Sequence, residues 1–171
     1  MTADLSRVLA VYQRYVEARN ALLDELHLSW HSNRDPLVEF SEWLVAALVG
    51  GTLAESPVQK DWDVRGPDGE KIQVKYLANS TEHWVNEHLV QVNEQMDRYA
   101  IVIVESLMPQ AVVIFPARNL EAVGAALGKR HSHLDTTLQF TQANYRQILG
   151  SIAHFKTLGV AVYLPPDWSL Q

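Results

Sequence analysis

Three side chains between Asp63 and Lys75 have the chemistry to hold a metal ion against a phosphate group. Asp63 supplies a carboxylate, Gln73 an amide oxygen and Lys75 an ammonium. Mg²⁺ prefers oxygen ligands and keeps several of its waters, so one or two carboxylates with one further oxygen can bind it. Hydrolysis of a phosphodiester needs such a cation, an activated water and a stabilised leaving oxygen. These residue types therefore favour metal-dependent phosphodiester cleavage.

A short β-hairpin is predicted to position this group. Residues 62–64 (Trp-Asp-Val) have the apolar frame of a short strand, and residues 66–69 (Gly-Pro-Asp-Gly) are a strong turn sequence. Residues 71–77 then alternate between polar and apolar side chains, as a strand with one buried face does. The two strands should therefore pair around the turn.

Alternation along the second strand decides which side chains meet. Gln73 and Lys75 are two residues apart, so they should project from one face, and the tight turn should bring Asp63 beside that face. Ile72 and Val74 should point to the opposite face and anchor the strand in the core. A lysine between apolar neighbours on a buried strand is costly unless a charge or ligand accounts for it, which favours a functional place for Lys75.

The order of these residues resembles the PD-(D/E)xK nuclease superfamily, which has the restriction-endonuclease-like fold. The resemblance lies in Asp63, the glycine-containing turn and residues 72–75 (Ile-Gln-Val-Lys), and it extends over about residues 36–116. A helix, a turn and a strand are predicted in the expected order, which makes the short motif more specific. The resemblance implies Mg²⁺-dependent cleavage of DNA, with Mn²⁺ as a possible substitute. It also implies a homodimer with two active sites, and a role in restriction or phage defence.

The same resemblance gives each site residue a role. Asp63 would be the main metal ligand, Gln73 a second ligand, and Lys75 would orient or activate the water or stabilise charge in the transition state. A helix before the hairpin often contributes a glutamate in this superfamily, and Glu42 occupies that place as a further ligand of the metal or the water. This chain departs from the family pattern at Gln73, because an amide oxygen can bind metal but adds no negative charge. Metal affinity should therefore be weaker than with two acids.

Each candidate also has a plain structural interpretation. Asp61 flanks the same turn as Asp63, although the neighbours of Asp63 favour it as the strand residue. Lys75 could extend to solvent from an edge strand. Glu42 shares a helix face with Glu39, and a solvated acidic face would explain both. Glu39 is the alternative if the helix does contribute a ligand.

A second functional hypothesis keeps the fold without catalysis. The amide at Gln73 and the net charge of −6 at pH 7 fit a nucleic-acid-binding or protein-interaction module that has lost activity. The densest basic stretch contains Lys129, Arg130 and His131, which could contact DNA phosphates, although a solvated loop is the ordinary expectation. His88, in a stretch with other His and Glu residues, lacks the His-Glu-x-x-His zinc spacing and is expected at the surface or the core edge.

The bulk composition fits one globular domain with an N-terminal helical extension to about residue 34. A chain of 171 residues with 47% apolar and 20% charged residues can form one core. The absence of cysteine excludes disulfides and thiolate metal sites. No secretory signal or apolar run of roughly 20 residues is present, so a cytoplasmic protein without membrane association is expected.

The predicted elements describe an α/β fold, with a central mixed sheet, helices on both faces and the hairpin at one side. Helices are predicted at residues 4–28, 36–49, 120–127 and 141–155. Strands are predicted at residues 62–64, 71–77, 100–104, 111–115 and 161–164. Residues 79–98 have no clean period, and Pro165-Pro166 is expected to end regular structure.

Overall fold

A computed structural model describes residues 5–26, 35–55 and 61–171 of the chain. The end of the first predicted helix and the polar break at residues 29–34 lie outside these ranges. The helices are α1 (Leu5–Glu25), α2 (Pro36–Val49), α3 (Leu120–Ala126), α4 (Gln142–Gly150) and α5 (Ile152–Thr157). The strands are β1 (Thr52–Leu53), β2 (Val64–Arg65), β3 (Lys71–Asn79), β4 (His88–Gln91), β5 (Arg98–Glu105), β6 (Met108–Pro116), β7 (Thr137–Phe140), β8 (Ala161–Leu164) and β9 (Ser169–Leu170).

Seven strands form one mixed sheet in the order β1-β2-β3-β5-β6-β8-β9. β3 and β5 are parallel, and the other neighbouring strands of this sheet are antiparallel. β4 and β7 form a separate antiparallel pair. The prediction of an α/β fold with a mixed sheet and flanking helices is confirmed, and β2 and β3 form the predicted hairpin.

Apolar side chains cover both faces of the central strands. On one face, Val45 of α2 belongs to the same buried cluster as Ile72 and Val74 of β3. On the other face, a second cluster includes Leu120 of α3 and Phe155 of α5 together with residues of β5 and β6. Ile72 and Val74 are therefore buried on the face opposite Gln73, as the alternation predicts.

Contacts at both ends fix α2 against the hairpin. Asp35 precedes the helix as its N-cap, and its Oδ2 accepts a hydrogen bond from the Tyr76 hydroxyl of β3 at 2.7 Å. The chain leaves the helix through Gly51, which lies so close to the carbonyl oxygen of Arg65 that an added Cβ would be 2.4 Å from it. The helix with the two candidate glutamates thus spans from β3 to the end of β2.

The structure corrects several predicted boundaries. The helix predicted at residues 141–155 is divided in two, because Ser151 has a non-helical backbone with φ of −146°. The prediction that Pro165-Pro166 ends regular structure is wrong, since β9 follows and pairs with β8. β4 and β7 were not predicted, and they pair with each other across a long stretch of chain. Such distant pairing leaves little local trace in the sequence.

Candidate functional site

The Asp63 carboxylate lies at the edge of β3, just before β2. The backbone N–H of Asp63 donates to the carbonyl oxygen of Ile72 at 2.9 Å, so the hairpin continues one residue beyond the strand. Asp63 Oδ2 accepts a hydrogen bond from the Val74 N–H at 2.7 Å and another from Gln73 Nε2. The Asp63 carboxylate therefore accepts the backbone N–H of Val74, which a longer β2 would pair with.

Gln73 meets Asp63 as the sequence predicts, and the contact is part-buried. The Gln73 residue is only 7% exposed. Its amide donates to the carboxylate, which satisfies one oxygen of Asp63 without any cation. Since a side-chain amide has an oxygen at one end and an NH₂ at the other, turning it by half a rotation would present an acceptor to the same space.

Lys75 lies two residues further along β3 and is exposed to solvent. A buried place for Lys75 is therefore wrong, and its side chain extends to solvent as the structural alternative predicted, although Gln73 and Leu77 on the same face are buried. Its charge still acts within the site: the pKa of His88 is lowered first by burial and then by the positive charge of Lys75. His88 is therefore a neutral imidazole at pH 7, close enough to respond to the lysine.

His88 and Tyr99 add a hydrogen-bonded pair beside the acid and the amide. Tyr99 of β5 is the register partner of Gln73, and its hydroxyl lies 2.7 Å from His88 Nε2. Burial, followed by the negative charge of Asp63, raises the pKa of Tyr99 to about 12. Asp63, Gln73, Lys75, His88 and Tyr99 are thus linked by contact, register or charge around one end of β3.

His88 and Tyr99 are not among the site residues predicted from the sequence. Tyr99 lies just before the apolar run at residues 100–104, and the predicted strand began after it. His88 was expected at the surface or the core edge, and it is half-buried in β4. The strand predicted at residues 100–104 begins two residues earlier, at Arg98. A prediction with that earlier start would have placed Tyr99 beside the hairpin.

The two glutamates of α2 have different surroundings. Glu39 is 3% exposed, and neither of its carboxylate oxygens has a hydrogen-bond partner among the residues that the structure describes. Glu42, the ligand predicted from this helix, is half-buried. A solvated acidic face therefore does not explain Glu39, because a carboxylate buried without a partner is costly. Glu39 is the stronger candidate for a cation ligand from this helix.

The described ranges contain no group of three His, Cys, Asp or Glu side chains that could hold a metal ion. A smaller set of one carboxylate and one amide oxygen is chemically compatible with Mg²⁺, because this ion retains several waters. Lys129, Arg130 and His131 lie in the loop after α3, where the last two are exposed. Their contact with DNA stays a prediction.

We expect the Tyr99→Phe variant to lose less stability than the wild type at high pH. A tyrosine with a pKa of about 12 in the folded protein and about 10 when unfolded favours folding fully below pH 10. This contribution is lost as the pH rises from about 10 to about 12. Over that range the wild type should lose about 2 kcal/mol more than the variant, measured by urea unfolding at a series of pH values.

Tyr15→Phe is the matched control, since Tyr15 is exposed on α1. It should follow the wild-type dependence on pH. Tyr99→Phe also removes the hydrogen bond to His88, which lowers stability at every pH, so the slopes are compared and not the absolute values. Parallel curves for the wild type and Tyr99→Phe would contradict the raised pKa.

No helix in the described part of the chain is long and apolar enough to cross a membrane. Comparison of the sequence with models of known protein families finds no match, and comparison with curated proteins finds none either. The function is therefore inferred from the residues around Asp63 and their geometry.

Proposed function

We propose that this chain is a metal-dependent nuclease that hydrolyses phosphodiester bonds in DNA, on a restriction-endonuclease-like arrangement of sheet and hairpin. The main support is the Asp63 carboxylate at the edge of β3, in contact with Gln73 and followed on the same strand face by the exposed Lys75. An acid, an amide and an ammonium at one strand edge match the needs of phosphodiester hydrolysis. A role in restriction or phage defence would suit this activity.

The residues present fit Mg²⁺, or Mn²⁺ in its place. Asp63 and Gln73 would hold the ion, and Glu39 or Glu42 of α2 would contribute a further carboxylate. The best support from α2 is Glu39, because its two buried oxygens have no hydrogen-bond partner in the described ranges and a cation would compensate their charge. When bound, such an ion neutralises charge on the phosphate and lowers the pKa of a coordinated water.

The protein's own residues would divide the remaining work. Val74 holds one oxygen of Asp63 through its backbone N–H, which fixes the carboxylate in one orientation. The exposed ammonium of Lys75 would bind a phosphate oxygen and position the attacking water. Tyr99 and His88 are both neutral near pH 7, so they would offer hydrogen bonds without adding charge.

The proposal is tested by incubating supercoiled plasmid with the protein in Mg²⁺, in Mn²⁺ and in EDTA. We expect nicked or linear DNA in the presence of either metal and none with EDTA. Lys75→Ala should lower the rate by about 100-fold, since it removes a charge aimed at the phosphate. Lys71→Ala is the control, because Lys71 lies on the same strand before Gln73. Cleavage that persists in EDTA, or that both lysine variants lower equally, would contradict the proposed site.

The alternative function, a binding module without catalysis, is favoured by one observation. Gln73 donates a hydrogen bond to Asp63, so the pair is satisfied without metal and lacks the second acid of the superfamily pattern. Fluorescence anisotropy with labelled duplex DNA separates the two functions. Binding without cleavage, unchanged by Asp63→Ala and Lys75→Ala, would support the module. Cleavage of RNA alone would keep the chemistry and change the substrate.

We expect Gln73→Glu to strengthen metal binding. The substitution places a second carboxylate beside Asp63 with almost no change in shape, and a divalent cation would bridge the two charges. The Mn²⁺ concentration that gives half-maximal cleavage should fall by roughly tenfold. In EDTA the variant should be less stable than the wild type, because two carboxylates then face each other. Gln110→Glu, outside the site on β6, should change neither quantity.

A further inference from the structure

β4 lies over the face of the sheet to which Gln73 and Lys75 belong. Val90 of β4 is part of the same buried cluster as Leu77, which follows Lys75 by two residues on β3. The residue between His88 and Val90 is exposed, so strand alternation places His88 on the inward side of β4 together with Val90. Pairing with β7 therefore holds the His88 ring on the side of the sheet where the proposed site lies.

The His88 ring makes a single hydrogen bond within the described part of the chain. Its Nε2 lies 2.7 Å from the hydroxyl of the buried Tyr99, and the centroids of the two rings are 5.8 Å apart. The other ring nitrogen, Nδ1, has no partner among the described residues. Since His88 is only half-buried and Nδ1 is not enclosed, a water molecule can reach this nitrogen.

The charges around Tyr99 favour one direction for its hydrogen bond with His88. Burial, and then the negative charge of Asp63, raises the pKa of Tyr99 to about 12, so the hydroxyl keeps its proton. The same negative charge favours a hydroxyl whose proton points toward Asp63. The hydroxyl oxygen then accepts from Nε2–H of His88. A neutral imidazole has only one N–H, so Nδ1 keeps a lone pair.

We propose that His88 is the general base that takes the proton of the attacking water at the proposed nuclease site. This inference rests on the proposed function, in which that proton still lacks an acceptor. Lys75 does not supply one, because an ammonium has no lone pair. The water oxygen attacks phosphorus while its proton moves to Nδ1 of His88, and the P–O bond to the leaving group breaks. The leaving oxygen takes a proton from solvent, and His88 returns its own proton to solvent.

The groups that face His88 suit this role. They are Lys75 of β3, Tyr99 of β5 and, beyond Tyr99, the carboxylate of Asp63, while the β7 partner Phe140 has no charge. Burial, and then the positive charge of Lys75, lowers the pKa of His88, so the imidazole is unprotonated at pH 7 and ready to accept a proton. The same surroundings favour release of that proton after the reaction.

Replacement of His88 tests the role in catalysis. His88→Gln should lower the single-turnover rate of plasmid nicking in Mg²⁺ by about 100-fold, because the amide nitrogen is not a base. His83→Gln is the matched control, since His83 is exposed in the loop before β4, and it should leave the rate within about twofold of the wild type. Thermal unfolding checks that both variants fold. A His88→Gln variant that cleaves at the wild-type rate would overturn the inference.

The pH dependence of the rate identifies the base. In the wild type the rate should rise with pH and level off before pH 6.5, the ordinary pKa of histidine, because the pKa of His88 is lowered. His88→Gln should lose this step. A wild-type rate that still rises above about pH 8 would indicate a base of much higher pKa, and His88 would then not be the proton acceptor.

Added imidazole separates proton transfer from a structural role. His88→Gly leaves space for a free imidazole, which should raise the rate of this variant by at least about tenfold. His83→Gly should not respond to imidazole. A His88→Gly variant that folds and is inactive both with and without imidazole would show that His88 serves the structure alone.

NMR of the metal-free protein tests the geometry without any cleavage. Long-range ¹H–¹⁵N correlations of His88 should show the proton on Nε2 and an unprotonated Nδ1 at pH 7. A proton on Nδ1 would overturn the inference, because that nitrogen could not act as the base. A wild type that does not cleave DNA would overturn the proposed function and this inference together. Cleavage that is independent of His88 would overturn this inference alone.

Discussion

Asp63→Asn is expected to lower metal-dependent DNA cleavage by at least about 100-fold. The substitution removes the negative charge of the proposed main ligand. It keeps one carbonyl oxygen, which can still accept the hydrogen bond from the Val74 N–H. The hairpin should therefore remain intact, and the loss of activity would report the charge. The measurement is the initial rate of plasmid nicking at saturating Mg²⁺, with thermal unfolding as the check on folding.

Asp61→Asn is the matched control for this experiment. Asp61 is the nearest other described acid before the hairpin, and the sequence offers it as the alternative to Asp63. Its substitution should leave the rate within about twofold of the wild type. If Asp61→Asn abolishes cleavage and Asp63→Asn does not, the site has been assigned to the wrong acid. If neither variant changes a measurable rate, the carboxylate at β3 is not part of the catalytic centre.

The contact between Asp63 and Gln73 was predictable because it is local. The turn at residues 66–69 fixes the hairpin, and strand alternation then decides which side chains face Asp63. The burial of Ile72 and Val74 follows from the same alternation. These features depend on residues that are close in sequence, where propensity and periodicity are informative.

The rest of the candidate site depends on packing between distant elements. The hydrogen bond between His88 and Tyr99 requires β4 to be held over the sheet, and β4 is formed by pairing with β7 much later in the chain. The choice between Glu39 and Glu42 depends on how α2 is rotated on the sheet, and both lie within one turn of the helix. Hydrophobic periodicity does not distinguish these two positions, because both belong to one acidic face of the helix.

The exposure of Lys75 has a similar origin. Alternation along β3 places Lys75 on one face with Gln73, and local sequence alone does not decide whether that face is buried. β2 contains only Val64 and Arg65, and it pairs with β3 at Ile72 and Lys71 alone. Lys75 is nevertheless exposed between Gln73 and Leu77, which are buried on the same face, so its exposure depends on packing around the strand.

We expect Glu39→Leu to stabilise the fold and to weaken cleavage. Both oxygens of Glu39 are buried with no hydrogen-bond partner in the described part of the chain, so an apolar side chain of similar volume should raise the free energy of unfolding in EDTA by about 3 kcal/mol. If the carboxylate serves a cation, the same change removes a ligand. Urea unfolding in EDTA measures the first effect, and the dependence of nicking on Mn²⁺ measures the second.

Ser41→Ala is the control that distinguishes a loss of the proposed ligand from a general change in α2. Ser41 lies two residues after Glu39 on α2, and its hydroxyl is also buried without a partner among the described residues. Its removal should raise stability by about 1 kcal/mol and leave the dependence on Mn²⁺ unchanged. A functional site retains groups that cost stability, so only the Glu39 variant should exchange activity for stability. If Glu39→Leu destabilises the protein, or stabilises it without any effect on cleavage, the buried carboxylate has a structural role and α2 contributes no ligand.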